Sequence, residues 1–452
     1  MNQFRVITRW RPLASSDVHQ TEINRNCEEH PNSRISMSLV PSAPNTRPWK
    51  SEAAFTQVFE ARDNNKTVFD AVVAPTLPEV LKGHCSNFFA YGHSGSGKSH
   101  TIMGYDFNNP HEFGMCLAAG HHLFEKLEAL NEADSDAALQ LGIGLRMYEL
   151  RNKTAFDLLN GRCNCHVREG YDGQTHIRGE TEVLENGKVR VRPIVTKACW
   201  SFDELRRELL TGLALRATGS STIHDQSSRT HAVLELEIVT RALLDARDAV
   251  IERQSELVPV AKRATDIYLE ENLKGVVQTP DGEYIPSPDY QIDQARIDAA
   301  EAQKAEFETF VKEAEHHVEE IMTSSQHRCL GGKLVFVDLA GSEYYHDKAA
   351  PSIPRPKQTA QEQQEGRQIN TDLLSLKEVI RAKAHKQTRI PFRSSPLTMV
   401  LRAHFMGSRT VKSHSAMILT VSPSAEQFAA TMNTLKYGNL IGVAGSDKKA
   451  AR

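Results

Sequence analysis

The apolar positions of the chain follow two periods. Short runs rich in β-branched and aromatic residues at 4–10, 85–91, 145–150, 232–239, 333–339 and 417–421 predict strands. Residues 232–239 alternate as a strand should. Residues 333–339 are continuously apolar, the pattern of a strand covered on both faces. Between these runs the apolar residues fall at helical spacing. Phe202, Leu205, Leu209 and Leu210 mark a helix over 201–212, and 369–384 and 425–440 read as two more. Residues 68–81 read as a helix with a break at Pro75 and Pro78, and the Pro/Ser/Asn-rich stretch 31–48 reads as loop. Strands interleaved with helices predict an α/β sheet flanked by helices on both faces.

One segment stands outside this alternation. Residues 241–275 have high helix propensity, interrupted at Pro259. Residues 276–288 hold Pro280, Gly282, Pro286 and Pro288 and read as a turn. Residues 290–323 are again helical, with a stripe at Ile292, Ala295, Ala299, Ala302, Phe310, Ala314, Val318 and Ile321. Two helices of similar length around a turn predict an antiparallel helical hairpin inserted between two strands; partial disorder is the alternative.

Charge sharpens that division. The 452 residues hold 54 Lys+Arg and 57 Asp+Glu, a net of −3, but residues 241–326 alone hold nine basic and nineteen acidic residues. The rest of the chain is therefore mildly basic. Within 377–412, nine basic residues face only Glu378. Such a stretch is either a solvated surface or a face for an acidic partner, nucleic acid or an acidic protein polymer; no nucleic-acid motif accompanies it. A composition of 40% hydrophobic and 25% charged residues excludes a fibrous or disordered chain. The chain has no apolar run of about 18 residues, so no membrane insertion is expected. Its start lacks a signal or transit pattern, and seven scattered cysteines read as a reduced, intracellular protein. Cys163, Cys165 and His166 lack a second cluster at metal-site spacing and read as an ordinary loop.

The chemistry concentrates at Gly92-His93-Ser94-Gly95-Ser96-Gly97-Lys98-Ser99, which fits G-x-x-x-x-G-K-[ST] at every fixed position. The glycines let backbone N–H groups curl around a phosphate, and the helix that follows adds its positive end. Lys98 is placed for the β- and γ-phosphates and Ser99 for Mg²⁺. Asp338, at the end of the apolar run Val335-Phe336-Val337, supplies the acid that such sites use for the metal, and Gly341 follows where a backbone N–H senses a γ-phosphate. The Asn-Lys pairs at Asn65-Lys66 and Asn152-Lys153 lack the Asp of a guanine-reading element, so ATP is favoured.

At this point the sequence resembles the kinesin motor domain. Arg9-Trp10-Arg11-Pro12 looks like the family's adenine-site motif, and 89–101 is similar to its P-loop, with His100 near the base. Ser227-Ser228-Arg229-Thr230-His231 looks like the first switch, and Asp338-Leu339-Ala340-Gly341-Ser342-Glu343 like the second. Ile369-Asn370, Leu373-Leu374, Ile390-Pro391-Phe392-Arg393, Leu397-Thr398 and 434–437 continue the match. The resemblance implies a P-loop NTPase fold with a central, mostly parallel sheet over 1–440, interrupted by the 241–326 insertion, and a tail or neck from 441. It implies a microtubule-stimulated ATPase using ATP and Mg²⁺, in the cytoplasm on the microtubule cytoskeleton. Ser227 and Ser228 would close on the γ-phosphate, with Ser99, Ser228 and Asp338 around the metal. Arg229 and Glu343 would pair to join the switches. Lys377, Arg381, Lys383, Lys386, Arg389 and Arg393 would face tubulin, and the insertion would offer a site to a protein partner.

The segment 156–160 and Leu376-Lys377-Glu378 look like the internal-motor, microtubule-depolymerising branch. That branch's Lys-Val-Asp finger is not found between Ser15 and Lys50, and Val379 stands where its helix has Cys. Three further departures stand out. His93-Ser94 replaces Gln-Thr, His224 stands where the first switch has Asn, and Pro396 replaces a Lys. Slow turnover in a non-motile module is the alternative these departures raise.

Overall fold

The strands that carry the phosphate loop and Asp338 are built around apolar runs, Phe88-Phe89-Ala90 and Leu334-Val335-Phe336-Val337, and the structure buries them on both faces. In a computed structural model, residues 4–14, 17, 21–29, 31–39, 48–132, 138–170, 173–217, 229–278, 282–287, 289–342, 360–406 and 413–445 are described. Phe88 and Phe336 stack at 5.3 Å on one face, whereas Phe89 stacks on Phe405 at 5.4 Å on the other. The side-chain period of two thus divides one apolar run between two cores. One core is closed by the helices Asn65–Val72, Met115–Asn131 and Phe202–Ala217, the other by Ala360–Ala384, Pro396–Val400 and Phe428–Gly445.

Among the described residues the main sheet is mixed. Lys333–Asp338, Cys85–Tyr91, Ser413–Val421, Arg5–Trp10 and Gln57–Phe59 pair in parallel, in that order. His231–Val239 and Gly142–Arg151 then add antiparallel, and the ribbon Thr154–Asp157, Cys163–Glu169, Thr175–Val183 and Val189–Pro193 extends it. The expected parallel sheet is therefore the half that holds the phosphate loop. The ribbon strands escaped the sequence reading because most of their residues face solvent and their apolar stripe is thin. Arg34–Ser38, inside the expected loop 31–48, is also a strand, pinned by buried Ile35 and Met37. The break near Pro75 and Pro78 appears as a 3-10 turn, Ala74–Thr76, ahead of Leu77–Val80.

The insertion is the expected hairpin of helices, Arg241–Lys274 and Gln294–Ser324, packed on each other. Its turn carries a small ribbon, Val276–Gln278 with Tyr284–Pro286. Pro259 does not interrupt the first helix, contrary to expectation: it removes one backbone hydrogen bond, and the neighbouring helix holds the flanking turns in place. The hairpin leaves the sheet between His231–Val239 and Lys333–Asp338, at the end opposite the phosphate loop. It then lies along Val189–Pro193, where Lys188 and Arg190 reach Glu252 at 3.2 and 2.6 Å and Lys188 reaches Glu256 at 2.9 Å. Its acidic face is thus partly neutralised by the body of the protein. No described helix is long and apolar enough to cross a membrane.

Candidate nucleotide site

Strand Cys85–Tyr91 ends at Gly92, where only a missing side chain fits: a Cβ there would stand 2.3 Å from the Thr420 carbonyl oxygen. Gly97 takes φ 103°, a conformation that favours glycine, and turns the chain into the helix Lys98–Ile102. Nothing lies within 4 Å of the Cβ positions of Gly95 and Gly97, so the loop's backbone faces an open cradle. Lys98 donates to the carbonyls of Gly92 at 3.1 Å and His93 at 2.8 Å. Ser96 and Thr420 share a buried hydroxyl contact at 2.7 Å that fastens the loop to the neighbouring strand.

Asp338 ends the adjacent parallel strand beside this loop. Its Oδ2 accepts from the Ser99 hydroxyl at 2.7 Å and from Arg216 at 2.8 Å. Its Oδ1 is buried without a hydrogen-bond partner among the described residues. A buried carboxylate oxygen left unsatisfied is costly unless a cation completes it. The Ser99 hydroxyl, the Asp338 carboxylate and the open cradle together fit a hard oxygen-seeking cation shared with a phosphate. The segment after Asp338 is tied to the same corner, since Ser342 N–H donates to the Gly92 carbonyl at 3.1 Å with Gly341 just before it.

Arg9, Arg11, Pro12 and His100 meet around a pocket of about 210 Å³ with Gly97 and Thr101. Arg9 is turned inward, donating to Asn65 Oδ1 at 2.7 Å and Thr101 Oγ1 at 2.9 Å. Burial brings its pKa down to about 10, against the pull of Glu112 and Asp63. Arg11 forms a two-bond clasp with Asp17, both contacts 3.0 Å. His100 is pushed down to about 4 by burial and then by Arg9. Burial, followed by Lys98, likewise holds His93 near 4. His93 Nδ1 donates to the Ser94 carbonyl at 2.7 Å, and the other ring nitrogen is buried.

The remaining predicted residues divide. Ser227, Ser228, His224 and Glu343 lie outside the described residues. Arg229 stands 3.8 Å from Glu365, which also takes Arg151 at 2.7 Å at the start of the helix Ala360–Ala384. Of the predicted basic face, Arg381, Lys386, Arg389 and Arg393 are exposed and Lys377 is half-buried. Arg393 makes a two-bond contact to Glu169. Lys383 does not share this face. It turns inward, donates to the Phe405 carbonyl and lies over the Phe405 ring, and burial lowers its pKa. Pro396 occupies the first turn of Pro396–Val400, where a missing N–H costs nothing, behind a capping box of Ser395 and Thr398. Arg216 was not foreseen: it sits in the last turn of the helix Phe202–Ala217 with no motif around it, and only the fold brings it to Asp338.

The family model for the kinesin motor domain matches residues 9–261 and 307–442 and passes over 262–306, the distal part of the hairpin. The chain is 26% identical over 442 residues to the kinesin-like protein KIF24 of Homo sapiens, covering 98% of this chain and 24% of that protein. It is 27% identical over 447 residues to the kinesin-like protein KIN-13A of Oryza sativa subsp. japonica, covering 97% of this chain and 41% of that one. The chain thus spans less than half the length of either relative. A Kar3-like kinesin motor domain from Ashbya gossypii superposes with a TM-score of 0.57 at 19% identity, covering 97% of this chain and 99% of its own. A fast kinesin superposes at 0.58 and 20%, covering 98% and 91%. These superpositions speak for the fold.

Proposed function

The chain belongs to the kinesin motor-domain family, and from that premise we propose that it is an ATP-hydrolysing motor module whose turnover is stimulated by microtubules. One observation carries the reading: the Ser99 hydroxyl and Asp338 meet at 2.7 Å beside an open glycine cradle, with one carboxylate oxygen left for a cation. Bound Mg²⁺ would neutralise charge on the β- and γ-phosphates. The residues of the chain then do the positioning. Lys98 exchanges the Gly92 and His93 carbonyls for phosphate oxygens, and the loop N–H groups orient the β-phosphate. Arg216 holds the Asp338 carboxylate in place. The Ser342–Gly92 hydrogen bond supports a second switch in which a γ-phosphate would bear on Gly341. In this reading Ser227, Ser228, Arg229 and Glu343 close the site and orient the attacking water.

The exposed arginines Arg381, Arg389 and Arg393, with Lys386, form the microtubule face, because tubulin is acidic. Its location is accordingly the microtubule cytoskeleton. The hairpin adds a second surface for a protein partner. The experiment is steady-state ATP turnover with and without microtubules, beside Glu343→Ala. Stimulation that the variant abolishes is expected; nucleotide binding without stimulation would overturn the motor reading in favour of a non-motile filament-binding module. Residues 156–160 and Lys377-Glu378 favour one further reading, a filament-end depolymerase, which predicts ATP-dependent loss of stabilised polymer in the same assay.

A further inference from the structure

A buried histidine links the second switch to the long helix Ala360–Ala384. His231 opens the strand His231–Val239 and is 2% exposed. The Ala340 N–H donates to its Nδ1 at 3.0 Å. An accepting Nδ1 carries no hydrogen, so this bond assigns the proton of the neutral ring to Nε2. Nε2 is buried with no hydrogen-bond partner among the described residues. Facing it at 3.7 Å is Oδ2 of Asp372, on the long helix and 3% exposed. The other oxygen of Asp372 accepts from Gln368 at 2.9 Å.

The separation exceeds a normal N–H···O bond by roughly 0.7 Å. A buried donor and a buried carboxylate therefore stand just short of satisfying each other, and each is costly unsatisfied. One side of the imidazole is fastened to a backbone that runs directly into Gly341 and Ser342. Ser342 N–H is itself bonded to Gly92 of the phosphate loop at 3.1 Å. A sub-ångström shift of this segment is enough to open or close the gap. Earlier on the same helix, Glu365 is held by Arg151 at 2.7 Å, so the helix has a separate anchor.

We propose that His231 is a positioning residue: when the second switch engages nucleotide, His231 closes onto Asp372 and passes that event into the long helix. The proposal rests on the reading of the site as an ATP site. The test is hydrogen exchange on the full chain with and without a non-hydrolysable ATP analogue and Mg²⁺, beside turnover with and without microtubules. In the native chain the analogue protects 92–102 and changes exchange in 360–384. Asp372→Ala keeps the protection at 92–102 and basal turnover within about twofold, while the response of 360–384 and the stimulated turnover fall by roughly 3- to 10-fold. Asp372→Asn, which keeps an oxygen towards Nε2–H, recovers most of both. Should Asp372→Ala not fold, Asp372→Leu carries the same expectation, because it also removes the carboxylate and its larger apolar group leaves no void. An undiminished response of 360–384 in the Ala or Leu variant overturns the role of His231 and leaves the ATP site standing. A native chain that shows no protection at 92–102 overturns the ATP site, and this proposal with it.

Discussion

At the phosphate-loop end of the sheet, the buried carboxylate of Asp338 holds Ser99 and Arg216 on one oxygen and leaves the other without a hydrogen-bond partner among the described residues. At the opposite end, where the hairpin departs, Glu235 and Glu237 are buried just as deeply but are surrounded. Glu235 faces His404 at 3.2 Å with Arg146 and Lys333 at 3.8 Å, and Glu237 takes a two-bond contact from Arg247 and has Lys333 at 3.6 Å. Burial works to raise both acids. At Glu237, Lys333 and Arg247 outweigh it and hold the pKa at about 2; at Glu235, His404 and Lys333 hold it far below the ordinary range. Acids that the chain itself neutralises are structural. The acid that it leaves half-satisfied is the one prepared for a ligand.

The sharpest way to break this distinction is to neutralise each acid in turn. Asp338→Asn removes the cation's charge partner and lowers ATP turnover by about 10²- to 10³-fold, the usual loss of one electrostatic contributor. Thermal unfolding of the same variant should also come earlier, because buried Arg216 loses its carboxylate partner, so the contrast is read in turnover per folded molecule. Glu237→Gln should cost stability alone. Turnover per folded molecule stays near native, and urea unfolding loses about 3 kcal/mol because Arg247 and Lys333 are left uncompensated. Its pH dependence has a definite sign. The folded pKa lies below the unfolded value, so the contribution is complete above about 4.5 and is lost as pH falls towards about 2. Equal losses of turnover in both variants would erase the contrast.

How much of this was readable in advance follows from how local each feature is. The phosphate loop was legible because its shape is encoded in consecutive residues: Gly92 avoids Thr420, Gly97 takes a left-handed turn, and Lys98 and Ser99 follow. Asp338 was legible because it ends a continuous apolar strand. Arg216 was not, since its only signal is a position in space 122 residues from Asp338 along the chain. Lys383 was misjudged although the signal existed. Leu376, Val379 and Ile380 set a buried helical stripe, and 383 falls on it, so charge count misled where period would have corrected. The antiparallel ribbon from Thr154 to Pro193 was missed because its strands alternate with charged residues that pair across it, as Arg192 does with Glu182 at 2.7 Å.

A second contrast is one of protonation. His93 is buried in the phosphate loop with its pKa near 4, whereas an unfolded chain binds the proton near 6.5. The folded state therefore binds fewer protons between these values. Stability is complete above about pH 6.5 and falls as pH drops towards about 4, by up to about 3 kcal/mol. His93→Gln should flatten that part of a stability–pH curve measured by urea unfolding. An unchanged curve would place the acid sensitivity elsewhere, with His100 the next group to replace.

The smallest effect is expected from the largest change. The stretch 262–306, which the family model passes over, is the distal half of the hairpin. The hairpin's proximal half is the part fastened to the body, through the Lys188 and Arg190 contacts to Glu252 and Glu256 and the apolar contact of Leu243 with Val239 and Leu330. Arg253 lies over the Phe310 ring at 5.7 Å and Arg296 reaches Glu270 at 2.9 Å, so the two helices run side by side and Ala261 stands near Phe307. Joining those two residues through a short glycine linker should leave the fold intact and basal and stimulated ATP turnover within about twofold, because the Lys188 and Arg190 ion pairs and the Leu243 contact are kept. What the truncation removes is the exposed apolar tip, where Leu273 and Tyr284 are each 70% exposed, together with its flanking acids. An apolar patch held out on an acidic stalk suits a partner surface and serves no purpose in phosphoryl transfer. A truncated chain that loses stimulation would show instead that the tip takes part in the filament cycle, and the separation between the two ends of the sheet would no longer hold.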